Sequence, residues 1–129
     1  MSSAKEFHSP RAPEPVGLYP HARRAAGLLF LSGIGPRRPG TNEIPVEFEA
    51  QCRSVFDNVR AVLEDAGARW EDLVDVTVYL TDMKRDFAVY NRLYAEYFAA
   101  ARPCRTTVEV GALPTAIAIE LKCIAEIRK

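Results

Sequence analysis

The sequence predicts an α+β domain in which two helices cover one face of a mixed or antiparallel sheet. Three observations lead to this class: a helical period over residues 46–66, a two-residue alternation over residues 73–80, and a second helical stripe before Pro103. Strand-like segments precede, separate and follow the two helices, which is the order expected of an α+β fold. We therefore expect residues 1–129 to form one domain.

The chain is expected to begin with an extended arm and a hairpin. Residues 1–20 contain four prolines, so we expect little regular structure there beyond a short strand around Lys5 to His8. Two short apolar segments, Ala22 to Ala26 and Leu28 to Ser32, flank Gly27. This pattern predicts a hairpin whose second strand is buried, followed by a loop rich in glycine and proline.

Two helices are predicted. From Val46 to Ala66 apolar residues recur at intervals of three and four, and Gly67 is placed to end the helix. Asp82 or Asp86 can cap the second helix. Its apolar stripe is aromatic and comprises Phe87, Tyr90, Tyr94, Tyr97 and Phe98.

The segment between the helices alternates as a half-buried strand does. Val74, Val76, Val78 and Leu80 fall on one side of it. Two helices can cover only one face of a sheet, so a face carrying Phe30, Val78 or Ile124 must meet solvent or another subunit. We favour another subunit.

The last quarter of the chain predicts a strand pair. Thr106 to Val110 is β-branched, Ile117 to Ile127 alternates, and a turn containing Gly111 and Pro114 joins them. If the pair closes symmetrically about the turn, one face is polar, although a slip of one residue would undo this arrangement. That face collects Arg105, Thr107, Glu109, Ala118, Glu120 and Lys122.

Arg105 and Glu120 are the candidate catalytic residues. Arg105 begins a strand and can hold a carboxylate through two parallel hydrogen bonds, or it is a surface arginine paired with a nearby glutamate. Glu120 lies within an apolar strand, where a carboxylate can deprotonate water, or it is an ordinary exposed position. Lys122 is better explained as an ion-pair partner than as a nucleophile.

Other segments offer binding groups. The segment from Tyr19 to Arg24 places His21 and Arg23 beside an aromatic ring and can bind a dianion, although a basic solvated arm has the same composition. Gly33 follows a strand and offers backbone donors, or forms a plain turn. Asn91 is a surface amide or a ligand contact.

Composition excludes several classes of protein. Equal numbers of acidic and basic side chains, 17 of each, argue against nucleic acid or an anionic membrane as the partner. Three cysteines without a C-x-x-C pair argue against a disulfide framework or zinc site, and two distant histidines form no metal constellation. The longest apolar run, Ala25 to Leu31, cannot span a bilayer, so we expect a cytoplasmic protein.

Several segments together resemble one known family. The run from Arg105 to Pro114, followed by Ile119-Glu120-Leu121, is similar to the motif of the RidA/YjgF imine and enamine deaminases. Further similarity covers nearly the whole chain. It includes Leu29-Phe30-Leu31-Ser32-Gly33, Val55-Phe56-Asp57-Asn58-Val59, Val76 to Met83, and Tyr94-Ala95-Glu96-Tyr97-Phe98.

The resemblance implies a chorismate-mutase-like α+β fold and a homotrimer with active sites between subunits. It also implies a small carboxylate substrate and neither metal nor cofactor. By position, Arg105 would bind the substrate carboxylate and Glu120 the hydrolytic water. The remaining residues of the cleft would include Tyr19, Gly33, Asn91 and Thr107, the last standing where some relatives have cysteine.

Within the family, the segments Tyr19 to Arg24, Leu31 to Arg37 and Thr81 to Phe87 resemble the 2-aminomuconate deaminase branch. The loop over residues 39–49 is shorter than expected for that branch. A dicarboxylate substrate requires a second cation, for which His21, Arg23, Arg24 and Arg37 are candidates. The alternatives are a general deaminase of 2-aminoacrylate-type imines and a noncatalytic trimeric binding or chaperone-like protein.

Overall fold

The computed structural model describes residues 5–127, so the ends of the predicted domain, residues 1–4 and 128–129, lie outside the described residues. The long strands form where apolar residues stand at every second position, and the two helices form where apolar residues recur at intervals of three and four. The strands are β1 (Glu6–Phe7), β2 (Ala22–Ala25), β3 (Leu28–Leu31), β4 (Leu73–Leu80), β5 (Cys104–Glu109) and β6 (Ile119–Glu126). The helices are α1 (Phe48–Asp65) and α2 (Met83–Phe98).

One mixed sheet carries both helices on a single face. The strand order is β1-β2-β3-β6-β4-β5, and all neighbours are antiparallel except β4 and β5. Alternate residues of the central strands, such as Val76 and Leu121, are fully buried beneath the helices. The predicted α+β class with two helices on one face of a mixed sheet is confirmed.

The first hairpin forms as predicted. β2 and β3 pair in antiparallel register, and residues Ala26 and Gly27 between them have φ angles of 53° and 78°. Two consecutive positive φ angles are the geometry of a type I′ turn, which matches the twist of the flanking strands. The short strand predicted near the start of the arm is β1, which pairs with β2.

Both helices lie where the periodicity places them. α1 ends before Gly67, whose φ of 87° suits a glycine after the last turn. Asp82 caps α2 by accepting a hydrogen bond from the backbone N–H of Arg85 at 3.0 Å. Neither helix of the described residues is long and apolar enough to cross a membrane.

The predicted pairing of the last two strands is wrong. β5 and β6 are not neighbours, because β4 lies between them and pairs with β5 in parallel and with β6 in antiparallel register. The order β4, α2, β5 is a strand–helix–strand crossover, which produces parallel pairing. The segment after β5 therefore crosses over β4 instead of closing a tight turn.

Two predicted side-chain positions also change. A register shift between Leu73 and Asp75 displaces Val74 from the buried row, and Val74 is exposed. Val78 is fully buried beneath the helices, so it does not lie on the uncovered face. Phe30 and Ile124 are half-buried cross-strand partners on that uncovered face, as expected.

Leu121→Ala is expected to lower the free energy of unfolding by about 2–5 kcal/mol. Leu121 is 0% exposed on the central strand β6, so truncation leaves a cavity that its neighbours cannot fill. Chemical denaturation at fixed protein concentration measures the change. Val46→Ala is the control, since Val46 is 93% exposed and its truncation should alter stability by less than about 0.5 kcal/mol. Equal effects of the two substitutions would contradict this view of the core.

Candidate functional site

Glu120 lies in a small pocket on the uncovered face of the sheet. Its strand buries every second residue beneath the helices, and Glu120 occupies the opposite row as the partner of Tyr79. The pocket has a volume of about 110 Å³. Tyr19, Gly33, Arg37 and Thr115 contribute to its walls.

Gly33 is close to Glu120 because the neighbouring residues pair. The backbone N–H groups of Ile34 and Leu121 each donate to the other residue's carbonyl, at 2.8 and 2.9 Å. A Cβ on Gly33 would lie 3.0 Å from the carboxyl carbon of Glu120 and closer still to one of its oxygens. A side chain at position 33 would therefore displace the Glu120 carboxyl from this position, and Gly33 lies in the wall of the same pocket.

Burial raises the pKa of the Glu120 carboxyl above its ordinary value. Among the described residues, no lysine or arginine forms an ion pair with this carboxylate. The predicted ion pair of Lys122 with Glu120 or Glu109 is wrong, since the Lys122 ammonium donates to the backbone carbonyl of Leu31 and Glu109 accepts the backbone N–H of Met83. Glu120 is thus a half-buried carboxyl that favours accepting a proton.

Arg105 belongs to a second cluster, at the junction of β5 and α2. Its guanidinium donates to the side-chain oxygen of Asn91 at 2.9 Å. The same guanidinium lies 5.2 Å and 4.7 Å from the ring centres of Tyr90 and Tyr94. Both kinds of contact are neutral, so they orient the cation and leave its charge available for an anion.

Thr107 joins this second cluster through Tyr90. The two hydroxyl groups are 2.7 Å apart, and either can donate. Burial is the main cause that raises the pKa of Tyr90, so its hydroxyl stays protonated at neutral pH. Tyr94 stacks on Phe98 with ring centres 3.9 Å apart, and its buried hydroxyl has no hydrogen-bond partner within the described part of the chain.

The predicted site residues therefore form two separate groups. Arg105 is the β-sheet partner of Val76, whose side chain is buried on the helix face, whereas Glu120 occupies the opposite face. The prediction that Arg105, Thr107 and Glu120 share one face of a strand pair is wrong, because it depended on direct pairing of β5 and β6. We call the group of Tyr19, Gly33 and Glu120 the acid half-site. We call the group of Asn91, Arg105 and Thr107 the arginine half-site.

His21 and Arg23 belong to neither half-site. His21 is 3% exposed, and its Nδ1 accepts the backbone N–H of Ser9 at 2.8 Å while Nε2 lies 2.7 Å from the carbonyl of Pro13. Both ring nitrogens are thus engaged within the chain, which argues against ligand contact. Arg23 is exposed on β2 and pairs with Glu6 at 3.5 Å.

Tyr90 and Tyr94 belong to the apolar stripe predicted for the second helix, and the structure gives them a second role beneath Arg105. Their spacing of four residues, on either side of the candidate Asn91, was the available signal. Glu109 does not pair with Arg105, because it accepts the backbone N–H of Met83 at the start of α2. Within residues 5–127, the His, Cys, Asp and Glu side chains form no group of three or more that could hold a metal ion.

Comparison with known proteins relates the sequence to a family and to individual relatives. The model of the family described as Endoribonuclease L-PSP matches residues 9–127. A RutC family protein of Pyrococcus horikoshii is 45% identical over 115 residues, covering 88% of this chain and 90% of the relative.

Solved structures show the same fold. RidA from the Antarctic bacterium Psychrobacter sp. superposes with a TM-score of 0.91 at 34% identity, covering 96% of this chain and all of the other. E. coli TdcF with bound serine has the same TM-score and identity, with 98% and 100% covered. The family resemblance noted in the sequence is thus confirmed, and the chain belongs to the Endoribonuclease L-PSP family, which includes the RutC, YjgF and RidA proteins.

Proposed function

We propose that this protein is a cytoplasmic deaminase that hydrolyses an enamine or imine dicarboxylate, 2-aminomuconate, to the 2-oxo acid and ammonia. The observation that carries the proposal is that one chain presents both a proton acceptor and an available cation, at separate places. Glu120 is half-buried and favours accepting a proton, and the neutral contacts of Arg105 leave its positive charge available. A carboxylic acid substrate with an electrophilic carbon nearby requires these two groups. Membership of a family that includes RidA supports this class of reaction.

The reaction proceeds in three steps. The enamine loses a proton from nitrogen and gains one on carbon, and so becomes an imine. Glu120 accepts a proton from water as the water oxygen bonds to the imine carbon, and it passes this proton to the nitrogen, which gives an amino alcohol. The hydroxyl proton of the amino alcohol then moves through Glu120 to the nitrogen, the carbon–nitrogen bond breaks, and ammonia leaves as the carbonyl forms. Arg105 holds the carboxylate beside the reacting carbon and so fixes its position.

We propose that each active site forms between two copies of the chain in a homotrimer. The two half-sites lie on opposite faces of one sheet, so a single ligand needs the acid half-site of one copy and the arginine half-site of another. The half-buried apolar residues of the uncovered face, such as Phe30 and Ile124, support association there.

Ammonia release from enzymatically generated 2-aminomuconate tests the activity, and mixing of variants tests the shared site. Arg105→Ala and Glu120→Ala chains should each retain about 1% of the parent activity or less. Unfolding them together and refolding should restore roughly one quarter of the parent activity, because random assortment places both intact groups at that fraction of interfaces. Sites complete within one chain would give no recovery, since neither variant carries both groups.

The activity is expected to fall on the acid side at a pH above the ordinary glutamate pKa of 4.5. Burial raises the pKa of Glu120, and the base must be ionised, so activity is lost as the pH falls through this raised pKa. Measurement of kcat/KM from about pH 4 to pH 9, after subtraction of uncatalysed hydrolysis, gives the acid limb of the pH profile, where activity falls with the pH. Persistence of an identical limb in Glu120→Gln would contradict the assignment of Glu120.

A second candidate is a general deaminase of small imines of the 2-aminoacrylate type. The small volume of the Glu120 pocket favours it, as does the similarity to TdcF, whose structure contains serine. The ratio of kcat/KM on dicarboxylate and monocarboxylate imines separates the two. Retention of ligand binding without ammonia release from either would instead indicate a noncatalytic binding protein. The zero net charge does not favour RNA as a substrate.

A further inference from the structure

Arg37 lies in the wall of the pocket that contains Glu120. The other cationic residues considered for a second carboxylate do not contribute to this pocket. His21 is enclosed by its own chain, Arg23 pairs with Glu6, and Arg24 lies on strand β2 outside the pocket wall. Arg37 is therefore the candidate that shares a cavity with the acid half-site.

The backbone that carries Arg37 is fixed to helix α1. The side-chain amide of Asn58 donates to the carbonyls of Gly35 and Arg37, both at 2.9 Å. The hydroxyl of Ser54 donates to the carbonyl of Pro36 at 2.8 Å. Both helix residues are buried, so the loop is held by three sheltered hydrogen bonds and Arg37 starts from a defined position.

The guanidinium of Arg37 is held by neutral oxygens. It donates to the side-chain oxygen of Asn42 at 2.7 Å and to the carbonyl of Glu14 at 2.6 Å. Within residues 5–127 no carboxylate forms an ion pair with it, whereas the adjacent Arg38 has Glu43 at 3.6 Å. A guanidinium has five N–H groups, so these two anchors leave donors and a full positive charge for an anionic ligand.

We propose that Arg37 binds the second carboxylate of an unsaturated dicarboxylate substrate and so sets the preference for dicarboxylates. This inference rests on the proposed deaminase, in which Arg105 of a neighbouring copy holds the carboxylate beside the reacting carbon. The water that Glu120 deprotonates then lies between the guanidinium groups of Arg105 and Arg37, and the second carboxylate of the substrate extends to Arg37. A monocarboxylate leaves Arg37 without its anion and forfeits this contact.

Calorimetric titration with two unreactive acids tests the inference without turnover. Muconate and sorbate are both six-carbon dienes, and they differ in that sorbate has a methyl group in place of the second carboxylate. We expect the unmodified protein to bind muconate about 10 to 100 times more tightly than sorbate, as one charge-assisted contact implies. Arg37→Gln should reduce this preference at least tenfold.

Arg38→Gln is the matched control, because Arg38 is the next residue and pairs with Glu43 outside the Glu120 pocket. It should keep the full preference for muconate. Arg37→Lys retains charge without the forked donors and should keep part of it. Thermal melts of all variants establish that each is folded.

Equal binding of the two acids by the unmodified protein, absence of muconate binding, or an unchanged preference in folded Arg37→Gln would overturn the inference. The proposed deaminase fails in a different way. It fails if neither dicarboxylate nor monocarboxylate imines release ammonia faster in the presence of the protein. Turnover of both with no effect of Arg37→Gln on their ratio would leave the deaminase standing and reject the role of Arg37.

Discussion

Glu120→Gln is expected to lower kcat for imine hydrolysis by about 10² to 10⁴, the usual contribution of a positioned general base. Glutamine has nearly the same shape and fits beside Gly33, but it cannot accept a proton from water. Substrate binding depends chiefly on the cations Arg105 and Arg37, so KM should change much less than kcat. Single-turnover measurement of ammonia release separates the two quantities.

The stability of Glu120→Gln provides the control. Burial raises the pKa of the folded Glu120 carboxyl, so its ionised form is disfavoured and lowers stability at pH values above that pKa. This cost disappears as the pH falls through the raised pKa. Glutamine removes the charge at every pH, so the free energy of unfolding at pH 7 should not fall. A parallel loss of stability and activity would mean that Glu120 is structural.

Arg105→Ala is expected to lower kcat/KM by about 10² to 10³, because it removes a two-point carboxylate contact that also orients the reacting carbon. The loss should appear in both KM and kcat. Arg105→Lys should recover less than a tenth of the parent value, since an ammonium cannot form the parallel pair of hydrogen bonds. Initial rates over a range of substrate concentrations give both parameters.

Arg92→Ala is the matched control for Arg105. Arg92 lies next to Asn91 on α2 but is an exposed residue paired with Glu49 at 3.1 Å. Its removal should change stability by less than about 1 kcal/mol and leave the reaction rate unaltered. A similar loss of rate in Arg92→Ala and Arg105→Ala would mean that general surface charge, and not a bound carboxylate, explains the effect.

Local patterns sufficed to predict the helices and the first hairpin, because their signals come from residues close in sequence. The helical period of α1 and the cap at Asp82 are examples. The pairing of β5 is a longer-range property. A turn-forming loop after β5 is compatible both with direct return and with a crossover, and the loop sequence does not show that β4 takes the position between β5 and β6.

The error in pairing carried directly into the predicted site. The resemblance to a family assigns Arg105 and Glu120 to one active site because both lie in its motif. A place in the motif does not say on which face of the sheet a side chain lies, and these two lie on opposite faces. Gly33 could be foreseen as a neighbour of the site, yet its steric contact with Glu120 depends on the bridge between Ile34 and Leu121. The fixed loop around Arg37 likewise depends on Asn58 of helix α1. The sequence alone does not show that this residue hydrogen-bonds to the loop.

The central place of β6 has a consequence for biosynthesis. This strand follows the other five in the chain, yet it pairs with both β3 and β4 in the middle of the sheet. Until the ribosome has made the residues from Ile119 onward, the nascent chain lacks the strand that joins β3 to β4. The edges of β3 and β4 that β6 covers in the finished sheet are unpaired during this time. Stable folding must therefore wait for β6 to emerge, and chaperone protection is most needed in the interval before it does.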